Sequence, residues 1–144
     1  MLLKEFFQNA NWIAIGVAAL SYFVLGAVWF SALFQKAWMA GHNLQAPTDE
    51  MKLQMKKHMP VMMVQTLVMN IVMAIVVAML VMAMGSVRCV AGIKLGLALS
   101  AVGCVPLVMS HMYTMKSIKL WMVDAAYHTV GITLMSIIIS VWHK

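Results

Sequence analysis

Trp12-Ile13-Ala14-Ile15-Gly16-Val17-Ala18-Ala19-Leu20-Ser21-Tyr22-Phe23-Val24-Leu25-Gly26-Ala27-Val28-Trp29-Phe30-Ser31-Ala32-Leu33-Phe34 runs without a single charge. A helix rises about 1.5 Å per residue, and the bilayer's hydrocarbon core is about 30 Å thick, so about 20 apolar residues cross it. The run is long enough to span. A signal peptide has an apolar core of only about 7–15 residues followed by a small-residue cleavage site. The stretch therefore reads as an uncleaved first membrane helix. Trp12 and Trp38, with Trp29 and Phe30 between them, suit anchoring at the two interfaces.

Three further apolar runs follow, at about 61–84, 90–112 and 118–141. Of the chain's 144 residues, 64% are hydrophobic and 10% charged, and the mean hydropathy is +0.92. Soluble domains are about half apolar and a quarter charged. A soluble core of this size cannot hide that excess, so the lipid bilayer is the solvent. The expected architecture is all-α: one domain over 1–144, a four-helix transmembrane bundle, with a short amphipathic helix in the first connection.

That connection, Gln35–His58, is the longest polar one. Gly41, Asn43 and Pro47 mark a turn. Thr48 reads as a helix cap, with Asp49 and Glu50 in the first turn. Met51, Met55 and Met59 recur at a step of four with Lys52, Lys56 and Lys57 among them, as in a basic amphipathic helix. Pro60 is expected to bend or restart the helix there. Gly85-Ser86 ends the second span. Because the next connection is short, the second and third helices are expected to be antiparallel neighbours. On the third span Gly92, Gly96, Ser100 and Cys104 step by four. Small residues at that step let two backbones approach in lipid, and Gly26, Ala14 and Ala18 offer the same on the first helix. Pro106 is a candidate kink and Ser117 a candidate cap for the last helix.

The net charge of +6 is spread over the connections. It reads as topology and contact with anionic lipid, and no basic-aromatic face points to nucleic acid. Lys36, Lys52, Lys56, Lys57, Lys116 and Lys119 in the first and third connections outnumber Lys4, Arg88, Lys94 and Lys144. The bias favours the long connection inside and both termini outside. Cys89 and Cys104 lie fifteen residues apart. That is about 22 Å on one helix, beyond the roughly 7 Å a disulfide allows. They read as packing residues, with neither a disulfide nor a zinc site implied.

Asp124 is the only acid inside an apolar run, and His128 lies one turn on, with Tyr127 beside it. His111 closes the preceding span and approaches the same membrane side. These four residues are the candidate ion or proton site, since a partly buried carboxylate and imidazole can relay protons or hold a cation. Two histidines and a carboxylate can also ligate a divalent metal. The structural alternative is a helix entrance: Asp124 lies near its helix start, where the helix dipole favours negative charge and an ion pair can staple helices. Among 17 methionines, Met55, Met59, Met62, Met69 and Met73 near His58 trace a line that suits copper(I), although methionine is more generally an apolar filler. Gln65 and Asn70 read as hydrogen-bonding glue between helices. No nucleophile elbow, Walker loop, His-Glu-x-x-His or Cys-x-x-Cys occurs, so no catalytic residue, cofactor or resident metal is assigned.

Two stretches carry a resemblance. Asn11 to Ile15, Tyr22 to Ser31 and Leu33 to Trp38, together with Ala125 to Gly131, resemble the first and last helices of a bacterial membrane-protein family catalogued as domain of unknown function 1761. The resemblance implies a four-span bundle with a basic first connection and brings no mechanism. Together these readings favour a non-enzymatic integral membrane protein of a bacterial inner membrane. Its expected partners are lipid and other membrane helices, in a hetero-complex or a small homo-oligomer. A small ion or proton carrier and a metal-handling protein are the competing classes.

Overall fold

The computed structural model describes residues 2–42, 48–85 and 88–142. Asn43 and Pro47 of the expected turn, Ser86, and the terminal His143 and Lys144 lie outside the described residues. The chain forms α1 (Leu2–Asn9), α2 (Trp12–Val28), α3 (Gln35–Gly41), α4 (Asp49–Met84), α5 (Cys89–Tyr113) and α6 (Ile118–Val141), with a π-turn at Trp29–Leu33 after α2. Four of these segments, Trp12–Leu33 and α4 to α6, are long and apolar enough to cross a membrane.

Local chemistry sets the boundaries. The Asn11 side chain accepts the Ala14 amide at 3.0 Å and opens α2. Thr48 and Ser117 do the same for α4 and α6, accepting from Met51 and Leu120 at 3.4 Å. Gly85 ends α4 in the left-handed region at φ 59°, a conformation glycine adopts without steric cost. Near the end of the first span, the Phe34 amide donates to Trp29 O at 2.8 Å, a bond one residue longer than an α-turn. Ser31 Oγ bonds back to Ala27 O at 2.5 Å in the same turn, a contact that bends helices. The span therefore turns at Phe34 into the short α3, which the sequence reading did not separate. Pro60 and Pro106 do not interrupt their helices. Transmembrane helices tolerate proline where the freed carbonyl finds another donor. The amphipathic segment Met51–His58 is helical and runs unbroken into the second span, giving a helix of 36 residues.

α6 is the centre of the bundle. It packs against α2, α4 and α5, and α3 caps its first turn. The core joins Ile15, Ala18, Ala19 and Tyr22 of α2 to Ala74, Val77 and Val81 of α4 and to Ile132, Met135 and Ile139 of α6. Those positions recur at three and four, one face of each helix. The expected pairing of the second and third helices is not obtained. α4 packs on α2 and α6, whereas α5 packs on α6. A short connection constrains only helix ends, and the faces decide the rest. A Cβ on Gly96 would fall on the Thr133 backbone, and one on Gly92 would lie 2.8 Å from Ile137 Cα, so α5 and α6 are in close backbone contact.

Candidate functional site

Following α6 from its start gives Asp124, Tyr127, His128 and Gly131 on the turns that face α2 and α5. Asp124 and Tyr127 are buried, and His128 is partly so. Two polar pairs form there. His111 Nε2 of α5 lies 2.9 Å from Asp124 Oδ2, with the two side chains only 12% and 11% exposed. His128 Nδ1 lies 2.5 Å from the hydroxyl of Tyr22 on α2. The four residues singled out in the sequence therefore lie close along α6, with His111 and Asp124 toward its start and Tyr127 and His128 near its middle. Three of them enter two separate polar pairs: His111 meets Asp124, and His128 meets Tyr22.

Tyr22 is the residue that sequence reading missed, and it had a signal. Tyr22 precedes Gly26 by four, and Tyr127 precedes Gly131 by four. The two helices use this spacing reciprocally. The Tyr22 ring occupies the space a Cβ on Gly131 would need, and the Tyr127 hydroxyl would lie 2.7 Å from a Cβ on Gly26. The rings themselves meet at 5.1 Å between centroids. Trp29 and Phe30, presented by the π-turn, pack on Tyr127 at 6.2 and 4.8 Å. Aromatic pairs in this range prefer tilted and edge-to-face geometry, as here.

The α5 side of α6 is built from small side chains. Ser100 Oγ donates to Gly96 O at 2.6 Å, and Cys104 Sγ lies 3.6 Å from Ala125 O and 3.8 Å from Thr129 Oγ1. Gly92, Gly96, Ser100 and Cys104 thus all turn toward α6. Cys89 is exposed at the start of α5.

Among the described residues, Asp124 Oδ1 and Trp121 Nε1 on α6 and Trp29 Nε1 of the π-turn are buried polar atoms with no hydrogen-bond partner. Chemically, the arrangement can hold or pass a proton between imidazole and carboxylate, or between imidazole and phenol. Among the described residues no three His, Cys, Asp or Glu side chains gather to hold a metal ion. The methionine line of α4 is separate from this site, with Met55, Met59, Met62 and Met69 exposed. A small cavity of about 10 Å³ lies at the opposite end of the bundle, between Phe6, Ala14, Ala78 and Trp142. There the Asn11 side chain donates to Trp142 O at 2.9 Å and ties the start of α2 to the end of α6.

The family model described as protein of unknown function (DUF1761) matches residues 13–140. The chain belongs to the DUF1761 family. That match takes in all four spans, the glycine ladder and both tyrosine-glycine pairs of this DUF1761 chain. No curated protein and no solved structure matches it.

Proposed function

We propose that this DUF1761 protein is a non-enzymatic subunit that works by associating with other membrane helices in a bacterial inner membrane. The observation that carries the reading is the unshared half of α4. From Asp49 to Met69 every residue except Leu67 is exposed, while the second half of the same helix supplies Asn70, Ala74, Val77, Ala78 and Val81 to the core. At about 1.5 Å per residue, this 36-residue helix is about 54 Å long and exceeds the hydrocarbon core. It therefore offers both a membrane-embedded face and a basic extension to a neighbour. The lysine bias places that extension, with Lys52, Lys56 and Lys57, on the inner side and both termini outside. The test is gentle extraction from native membranes followed by native electrophoresis and mass analysis. An assembly of fixed stoichiometry containing this chain is expected, and a lone monomer at every detergent concentration overturns the reading.

The two histidine pairs favour a second reading, proton or ion passage along His111, Asp124, His128 and Tyr22. Purified protein in liposomes with a pH-sensitive dye tests it. Asp124→Asn must abolish a flux that the parent carries, and a parent with no flux removes the reading.

A further inference from the structure

The short helix α1 lies outside the four spans and folds back on them. Asn11 is extended between α1 and α2, at φ −80° and ψ 92°, so α1 does not continue the axis of α2. One continuous helix would carry Phe6 about 12 Å beyond Ala14. Instead Phe6 is 2% exposed and lines the small cavity with Ala14 of α2, Ala78 of α4 and Ile139 of α6. α1 therefore crosses the end of the bundle where α2 begins and where α4 and α6 finish.

Aromatic residues mark that level. Trp12 opens α2 and Trp142 follows α6; both are exposed, and the Asn11–Trp142 bond at 2.9 Å ties the two helix ends together. Tryptophan at the end of a span suits the headgroup layer, where its ring meets acyl chains and its N–H meets water. The Phe7 ring stacks on Trp12 with centroids 5.6 Å apart and planes 25° apart, and Phe7 is 59% exposed. Trp12 in turn continues the exposed apolar stripe of Ile13, Val17 and Leu20 along α2. Phe7 thus extends the outer apolar surface of the first span.

The rest of α1 is arranged to match. At about 100° per residue, Lys4, Glu5, Gln8 and Asn9 fall within an arc of about 140°, and Phe6 and Phe7 lie opposite it. All four polar residues are exposed. A polar face against an apolar one is the pattern of a helix lying in the plane of a membrane surface. Phe6 fills the apolar role toward the bundle, and Phe7 turns it outward beside Trp12.

We propose that α1 lies in the headgroup layer of the bilayer, across the bundle end, with Phe6 plugging the bundle and the Phe7–Trp12 stack inserted among the upper acyl chains. The partner is a lipid surface. Lys4 and Glu5 carry opposite charges, so the contact draws on apolar burial and not on anionic headgroups, in contrast to the lysine-rich start of α4.

The experiment uses the full chain in phosphatidylcholine vesicles, with a photoreactive phenylalanine analogue placed singly at Phe7, Gln8 or Trp12. Phospholipid adducts are expected from Phe7 and Trp12 at severalfold the yield from Gln8. Anionic lipid added to the vesicles is expected to leave the yield at Phe7 unchanged. Phe7 is exposed and Phe6 keeps its place in the cavity, so the variants are expected to unfold like the parent in a denaturant titration. Lipid adducts at Trp12 without any at Phe7 overturn the proposal, because α1 then stands off the membrane. Cross-links from Phe7 to a second protein overturn it as well, since a partner chain then covers the ring. Equal lipid yields at Phe7 and Gln8 remove the polar face and with it the placement in the membrane plane. A yield at Phe7 that rises with anionic lipid overturns the apolar origin of the contact.

Discussion

Gly131 has no side chain because a tyrosine ring from α2 already fills the space. Tyr22 is 1% exposed, so it has nowhere to retreat. Gly131→Ala therefore overpacks the α2–α6 contact, and a loss of about 1–3 kcal/mol is expected in a detergent-unfolding titration. Tyr22→Leu in the same chain relieves the overlap, so the double variant should fall short of the sum of the two single losses. Tyr22→Phe keeps the ring and removes only the bond to His128, for about 0.6–2 kcal/mol. The His111–Asp124 pair is coupled in the same way. Asp124→Ala and His111→Ala each strand a largely buried polar partner, which costs about 1–3 kcal/mol, and the double variant should cost little more than either alone. Strict additivity in that cycle rules out the pairing. Both halves of this site are readable in the sequence to different depths. Asp124, His128 and His111 stand out because each is ionisable or nearly so within or beside an apolar run. Tyr22 does not, since a phenol in a first span looks like one more aromatic anchor. Only the matching Tyr-x-x-x-Gly spacings of Tyr22 and Tyr127 hint that the two helices exchange rings.

Helix ends and helix faces differ in how plainly they are written. Thr48, Ser117 and Gly85 announce ends through local bonds that need only neighbouring residues, so those ends are legible. The turn from α2 into α3 is not, because a π-turn depends on where Trp29, Phe30 and Phe34 find room. Pairing between helices is harder still. The step of four from Gly92 to Cys104 reveals a close-contact face on α5, but nothing in that step names α6 over α4 as its partner. The structure makes this face asymmetric along one helix. A Cβ at Gly96 meets the Thr133 backbone, which cannot yield without moving α6, while a Cβ at Gly103 meets nothing within 4 Å. Gly96→Ala is expected to destabilise the bundle by about 1–3 kcal/mol. Gly103→Ala should leave it within about 1 kcal/mol of the parent, on the stabilising side, because alanine is the better helix former. Equal effects at the two glycines contradict the packing described for α5.

At the scale of the molecule, the last helix holds the others together. α2 and α4 pack on each other and on α6, while α5 reaches the rest through α6. The chain's order therefore differs from its assembly order, and the break between α4 and α5 is the place where few contacts follow the sequence. Cutting the chain between residues 85 and 88 divides it into one piece with α1 to α4 and one with α5 and α6. Each piece keeps a packed helix pair of its own: α2 with α4, and α5 with α6. The surface between the pieces includes the Tyr22–Gly131 and Tyr127–Gly26 exchange, the His128–Tyr22 bond, the Asn11–Trp142 tie, α3 against Leu120, and the core contacts of Ile132, Met135 and Ile139. The two pieces, expressed as separate polypeptides, are expected to copurify. Gly131→Leu in the second piece should remove most of that copurification, because the added side chain stands where the Tyr22 ring must enter. Gly96→Leu should spare it, since the contact it breaks lies wholly within one piece. The reverse ranking of these two variants, or pieces that never meet, shows that α6 is not what joins the two halves.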